Sequence, residues 1–540
     1  MQIESKRLNL HNKFMVDYLK GEHQLLSHFD YNPIDSNLFH DRLKDINKGA
    51  AERHRLTEVL LQLNKKWHAS ESSIDNIERL REQNSVVVIG GQQAGILTGP
   101  LYTINKIISI IALAKEQEEQ LQVPVLPVFW IAGEDHDFDE VNHIFMPEHT
   151  SLQKWKIDST HGEKVSVSNR DLDQEKVKKW MTSVFSLLQE TSYTKGLYQL
   201  LLDQLAESET YVDFFALVIH QLFADSGLIL VDSGAKELRQ LEADFFKELI
   251  EKQPSISRHT YRSLQSMRKK GYYVSVDVKE TDAHLFVEEN GERILLQRNN
   301  DNWHGKNDEC SYSQKQLLEI AANQPERLSN NVVTRPLMQE KLFPTLAFFA
   351  GPSEAAYWSI LKEAFHDVSL KMPPVLPRVS LTILEQKTEK WLDRMELEPS
   401  AVINNGVQVE KQHWLAAQTQ QPITDLTEQF KAVVAKTHLP FREIADSLGD
   451  DVSQYADKNL RLICYQIDQM ANRLEKEFKQ KYSTQLQLFD LIDLQLHPQG
   501  GLQERIWNLI YFLNYYGMDW LKELQHSQLD WQQQHYIVRI

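Results

Sequence analysis

Hydrophobic and polar positions change rhythm several times along this chain, and each rhythm predicts a different element. Over residues 1–80 apolar residues recur at three- and four-residue spacing, as in AERHRLTEVLLQLNKKWHA (51–69), which predicts helices. SVVVIGGQQAG (85–95) is then a β-branched run closed by a double glycine. TGPLYTINKIISIIALAKEQ (98–117) follows as an amphipathic helix, with Thr98 as its expected N-cap and Pro100 near its first turn. VPVLPVFWIAG (123–133) is a continuous apolar run, the mark of a strand covered on both faces. Strand, helix and strand in this order form a βαβ unit with a right-handed crossover.

Two later sets extend the pattern. VDFFALVIHQLFADSG (212–227), LILVDSG (228–234) and AKELRQLEADFFKELIEK (235–252) read as helix, strand, helix. Beyond Asn331, further short apolar runs alternate with Gly, Pro and a helix up to MPPVLPRVSL (372–381). The pieces predict one doubly wound α/β sheet interrupted by insertions. The expected segments are a helical 1–80, core parts at 81–145, 211–259 and 331–380, and connecting insertions at 146–210 and 260–330. The second insertion alternates, and ENGE within it signals a hairpin, so it is expected to be a small antiparallel lobe.

From 381 to 540 glycine becomes rare and Gln, Glu, Lys and Leu dominate. Leu460, Ile463, Ile467, Met470 and Leu474 form a heptad seam, continued by Phe478 and Tyr482. An internal helical hairpin and pairing between chains both satisfy it. Pro498, Gly500 and Gly501 break the helix before a last helical piece, LQERIWNLIYFLNYYG (502–517).

A length of 540 residues implies three or four folding units at about 150 residues each. A net charge of −17 argues against nucleic acid as a partner, since phosphate contacts need clustered Lys and Arg. The two cysteines, Cys310 and Cys464, are too few for a disulfide framework and fit a reducing cytoplasm; both read as bystanders. No secretory leader is visible and no apolar stretch is long enough to cross a bilayer, so a cytoplasmic protein with no membrane partner is expected.

Three polar clusters follow predicted strand ends. In the first, Gly91, Gln92, Gln93, Gly95, Thr98 and Gly99 precede a helix N-terminus, and Lys106 lies two turns inside. Backbone N–H groups there attract phosphate or carboxylate. The spacing is neither the dinucleotide fingerprint nor the ATPase P-loop. The second is Glu134, Asp135, His136 and Asp137, the candidate catalytic quartet. It could relay protons from an amine or hold Mg²⁺, while capping of a helix near Phe138 accounts for only part of it. The third comprises Arg335, Ser353, Glu354, Tyr357 and Arg378. Ser353 is placed to cap a helix, and the two arginines in Pro-flanked contexts suggest anion clamps.

GQQAGILTGPLYTINK (91–106), FWIAGEDHDFDE (129–140), NVVTRPLMQEKLFPTLAFFAGPSEAAYW (331–358), LPRVSLTILE (376–385) and LHPQGGLQERIWNLIYFLNYYG (496–517) resemble the bacillithiol biosynthesis cysteine-adding enzymes, the BshC family. The resemblance covers essentially the whole chain. It implies a Rossmann-like core akin to class I aminoacyl-tRNA synthetases, two connecting insertions, and a C-terminal α-helical coiled coil that forms a homodimer. It implies a ligase that adds L-cysteine to the amine of glucosaminyl-malate in the last pathway step. A free carboxylate is a poor electrophile, so ATP is the expected cofactor, through an acyl-adenylate or acyl-phosphate, with Mg²⁺ as an option. The glycine loop would hold phosphate or the malate carboxylate, the quartet would bind amines, relay a proton or position Mg²⁺, and Arg335 and Arg378 would stabilise charge. Neither synthetase signature, His-x-Gly-His nor Lys-Met-Ser-Lys-Ser, is present, so the adenylate route is an analogy of fold. Two alternatives stand beside it: a nucleotide-binding coiled-coil scaffold or regulator, and a metal-dependent nucleotidyltransferase that would also draw on Asp232.

Overall fold

The continuous apolar runs become neighbouring strands in the computed structural model, which describes residues 1–8, 12–46, 53–158, 164–418, 422–533 and 535–540. The central sheet contains β1 (Val86–Gln92), β2 (Val125–Ile131), β3 (Ile229–Asp232), β4 (Thr345–Ala350) and β5 (Val375–Pro377). Its order is β5-β4-β1-β2-β3 and every pairing is parallel. Read from the β3 edge this is 3-2-1-4-5, the doubly wound order in which the winding direction reverses between β1 and β4. Both faces are covered, which is why β2 and β4 are buried at every residue.

Helix α1 (Leu101–Leu121) crosses from β1 to β2. Its N-cap is Pro100, not the expected Thr98. Thr98 is buried two residues upstream with φ 74°, next to Leu97 at φ 49°. These non-glycine residues tolerate a left-handed backbone because Asn508 clamps the turn, its Nδ2 donating to the carbonyls of Leu97 and Gly99. Asn508 lies 411 residues from Leu97, so no local pattern could announce the clamp.

The second insertion forms a five-stranded antiparallel sheet between Asp282 and Asn330. Its hairpin turns at Asn290 and Gly291, with φ of 52° and 80° as a primed two-residue turn requires. The boundary expected at 259/260 falls inside a single helix, α2 (Lys236–Lys269), which runs through Pro254.

Both chain ends depart from the helical expectation. Gln2–Lys6 is a strand, paired antiparallel with His535–Arg539, which in turn pairs in parallel with Leu381–Leu384. Each strand is five residues or shorter, too brief for periodicity to separate from its helical surroundings. One compact unit therefore comprises Met1–Glu148, Leu152–Leu384 and Leu502–Ile540, so the final residues pack with the Rossmann-like part of the chain.

The other unit, His149–Ser151 with Glu385–Gly501, is helical over its longer segment. Helices α3 (Ile423–Leu448) and α4 (Asp450–Lys481) pack on each other as a hairpin. They join at Gly449, whose φ of 132° is open to glycine. Lys431–Asp468 and Arg442–Asp457 ion pairs and a His438–Asn459 hydrogen bond fix the register. Of the heptad seam, Leu460 and Ile467 are half-buried, while Ile463, Met470 and Leu474 stay 36%, 59% and 41% exposed.

Candidate functional site

Beyond the carboxyl ends of β1 and β4 lies a cavity of about 780 Å³. This is the topological switch point, where two crossovers leave in opposite directions and open a crevice. On the β1 side the backbone of Gly91 lies against Trp130, and a Cβ there would come within 2.7 Å of the Trp130 carbonyl. On the β4 side Gly351 caps a short helix (Pro352–Trp358), its N–H donating to Glu354. Ser353, the expected cap, instead sits in the first turn and lines the cavity. Lys106 reaches back from α1 to join the two sides. Its Nζ donates to the Gly91 carbonyl, to Gln92 Oε1 at 3.2 Å and to the Glu354 carboxylate. Burial pushes the Lys106 pKa down, and Glu354 opposes that shift.

The acidic stretch after β2 does not act as one cluster. Glu134 is 4% exposed; its Oε2 accepts from Arg239 Nη2 at 2.5 Å and from the Asn330 N–H at 3.1 Å. Arg239 also pairs with the buried Glu242. Glu134 therefore holds the floor of the cavity. Asp135 is 35% exposed; Oδ2 accepts from Gln93 Nε2 at 2.6 Å and Oδ1 from the His136 N–H at 2.7 Å. Asp137 occupies the N-cap position of a short helix (Phe138–Val141) outside the cavity lining.

His136 faces Arg293, a residue from the antiparallel insertion. Arg293 Nη1 lies 3.2 Å from His136 Nδ1, and a guanidinium only donates, so Nδ1 accepts and the ring proton resides on Nε2. Burial and then the Arg293 charge push the His136 pKa below its ordinary value. Both effects favour the neutral ring. Arg293 donates further to Ser329 Oγ and to the Asn330 carbonyl, stacks 3.7 Å over the Phe286 ring, and is lowered by burial to about 10.

The other cations differ in what they face. Arg378 makes a bidentate pair with Glu504, both bonds 2.7 Å, and Asn105 donates to the same carboxylate. It is therefore neutralised by the protein. Arg335 donates to Tyr357 Oη at 2.5 Å and to Gln339 Oε1 at 3.3 Å, both neutral groups. Arg505 lines the same cavity. Among the described residues neither Arg335 nor Arg505 has a carboxylate within ion-pair distance, and the charges of Glu354 and Glu134 act on Arg335 only from farther off.

Of the residues singled out in the sequence, the cavity gathers Gly91, Gln92, Gln93, Lys106, Glu134, Asp135, His136, Arg335, Ser353, Glu354, Tyr357 and Arg378. It leaves out Gly95, Thr98, Gly99 and Asp137. Gly95 and Gly99 serve close packing, since a Cβ on Gly95 would lie 2.7 Å from the Gly99 Cα. Asp232, considered for a metal centre, points elsewhere: Ser168 Oγ and the Gly234 N–H donate to it, and burial raises it to about 6. Among the described residues no three His, Cys, Asp or Glu converge to hold a metal ion, and no helix is long and apolar enough to cross a membrane. Sequence reading missed Arg293, Asn330, Glu504 and Arg505. The "QER" before the last helical run was the one visible sign of the last two.

A parallel sheet in this order, with a cavity lined by charged side chains of both signs at its switch point, defines a Rossmann-like α/β protein. The chain belongs to the BshC family of bacillithiol biosynthesis: residues 1–379 match the N-terminal Rossmann-like domain of that family and residues 381–540 its C-terminal coiled-coil domain. A relative from Oceanobacillus iheyensis, named "Putative cysteine ligase BshC", is 41% identical over 537 residues, 98% of each chain. Relatives of the same name from Bacillus anthracis and Bacillus cereus are 39% and 38% identical over the full length of both chains.

Proposed function

We propose that this protein is a cysteine ligase of bacillithiol biosynthesis, joining the carboxyl of L-cysteine to the amine of glucosaminyl-malate with ATP as cofactor. The observation that carries the reading is the juxtaposition, in one cavity, of the Asp135 carboxylate with Arg335 and Arg505, cations without an ion pair among the described residues. The first suits an ammonium and the second an anion, and an amine-bearing dicarboxylate presents both. The names of the relatives support cysteine as the other substrate.

The donor set also fits a phosphate-bearing cofactor, because Lys106, Arg335 and Arg505 surround the switch point and the two arginines have no ion pair among the described residues. ATP, when bound, supplies activation of the cysteine carboxyl. Arg335 and Arg505 bind and orient the anionic groups. Asp135 would hold the acceptor ammonium, which loses a first proton to water to free its lone pair, and would take the second proton as the C–N bond forms and the C–O bond to the phosphate leaving group breaks. His136, neutral and carrying its proton on Nε2, donates a hydrogen bond to the carbonyl oxygen under attack. Arg293 holds that tautomer by occupying Nδ1. Mg²⁺ fits as a companion of the phosphates, held by no more than one or two of these carboxylates.

The test is mass spectrometry of purified protein incubated with cysteine and glucosaminyl-malate, with and without ATP and Mg²⁺. Bacillithiol formed only with ATP is the expected result. Product without ATP would remove the cofactor, and no product under either condition would remove the ligase.

A second copy of the chain is the proposed partner, docked along the helical hairpin. Phe430, Val433, Leu462 and Met470 leave apolar surface on both helices, more than an isolated hairpin in water retains comfortably. Changing Met470 and Leu474 to Lys is expected to halve the mass seen by sedimentation equilibrium. An unchanged mass would place the interface elsewhere.

A further inference from the structure

The buried asparagines of the described residues spend their carboxamides on the protein. Asn64 bonds Leu60, Leu230 and His220; Asn105 bonds Glu504; Asn508 and Asn514 clamp loop carbonyls; Asn142 uses its amide nitrogen. Asn330 is the exception. It is 2% exposed, it lines the cavity, and neither Oδ1 nor Nδ2 has a protein partner. Its backbone, by contrast, is pinned twice: the N–H donates to Glu134 and the carbonyl accepts from Arg293. A buried carboxamide left without partners costs stability, because its desolvation is not offset.

Both polar atoms of this carboxamide are closed to water in the present rotamer; turned toward the cavity it would offer one acceptor and two donors side by side without charge. A carboxylate would use only the donors and an ammonium only the acceptor, whereas a hydroxyl uses both. Phe286 and Leu295 supply apolar wall in the same cavity, suited to the C–H face of a ring. We propose that Asn330 is a specificity-determining residue that reads a hydroxyl of the amine-bearing sugar. This rests on the ligase reading. The edge of a purine base also pairs with a carboxamide, but position decides between them. Through its own backbone Asn330 is joined to the Arg293–His136 pair and to Glu134, the neighbour of Asp135. A hydroxyl on the carbon beside the reacting amine falls in that corner, while a base stands a whole ribose away from its reacting phosphorus.

The experiment is titration calorimetry on the full chain, wild type and Asn330→Ala, with glucosaminyl-malate, its 3-deoxy analogue and ATP as separate ligands, and a melting curve for each protein. The variant is expected to bind glucosaminyl-malate about tenfold more weakly, as the loss of one or two hydrogen bonds implies. The wild type should lose a similar factor on going to the 3-deoxy analogue, and the variant should barely tell the two apart. ATP binding should be unchanged, and the variant should melt no lower than wild type. Unchanged affinity for the amino sugar would overturn the assignment, as would weakened ATP binding alone or a lowered melting point with uniform loss of all ligands. A wild type that binds no amino sugar would overturn it too. A wild type that binds the amino sugar and makes no product would overturn the ligase reading and leave the variant ratio to decide Asn330.

Discussion

Asp135→Asn is expected to lower turnover by about 10²–10⁴-fold, the range general-base catalysis contributes, with the fold intact. Asparagine keeps the size of the side chain and one acceptor for the His136 N–H. What it loses is the second oxygen, which Gln93 approaches, and the capacity to hold a proton. Because Asp135 sits in a loop and is partly exposed, little packing energy depends on it. The decisive readout is the pH profile of kcat with cysteine and ATP saturating. If Asp135 removes the proton, raising the pH restores only part of the rate. Full recovery once the amine is already neutral in solution would reduce Asp135 to a binding group. Wild-type turnover in the variant at neutral pH would send the proton elsewhere altogether.

Arg239→Met is expected to cost about 3–5 kcal/mol of stability, the largest loss foreseen for a single change away from the hydrophobic core. Arg239 lies between the buried carboxylates of Glu134 and Glu242, and methionine would leave both charges without a partner. Even with Arg239 beside it, burial raises Glu242 to about 7 from an ordinary 4.5. The sign follows from the direction. A carboxyl whose folded-state pKa is raised contributes stability that is complete below about 4.5 and lost as pH rises through about 7. Removing Arg239 steepens that loss, so the deficit of the variant is largest at pH 8 and shrinks toward pH 5. Urea unfolding at the two pH values measures it. Adding Glu242→Gln should recover part of the loss at pH 8 and little at pH 5. Equal deficits at both pH values would show that lost packing, not stranded charge, sets the cost. Since Glu134 also anchors the Asn330 N–H, the surviving folded fraction should bind acceptor weakly.

Local pattern carried a good part of this molecule. The all-apolar runs at Val86, Val125 and Thr345 announced strands covered on both faces, and ENGE announced a turn that Asn290 and Gly291 make with positive φ. The heptad seam announced a long helix with an apolar stripe. These features are legible because burial on one or two faces leaves a period, and a turn demanding positive φ leaves a glycine. The three polar clusters at strand ends were legible for a related reason: in a parallel sheet the carboxyl ends share one side, so clusters following separate strands must approach each other.

What tertiary structure alone decided is the partner of each charge. Four consecutive polar residues, Glu134 to Asp137, form one cluster in sequence, yet three line the cavity, Glu134 among them spent on Arg239, and Asp137 lies outside the lining. The pairs that sort them are far apart along the chain: Glu134 and Arg239 by 105 residues, Arg378 and Glu504 by 126, Lys106 and Glu354 by 248. Sequence by itself determined the strands of the central sheet and the long helices, though not the short strands at the chain ends, and that polar chemistry gathers at the sheet's carboxyl edge. Folding decided which cations are paired and which, Arg335 and Arg505, line the cavity without an ion pair among the described residues. The physical reason is that periodicity records how much water each residue sees, whereas an ion pair depends on a distance that only the closed chain defines.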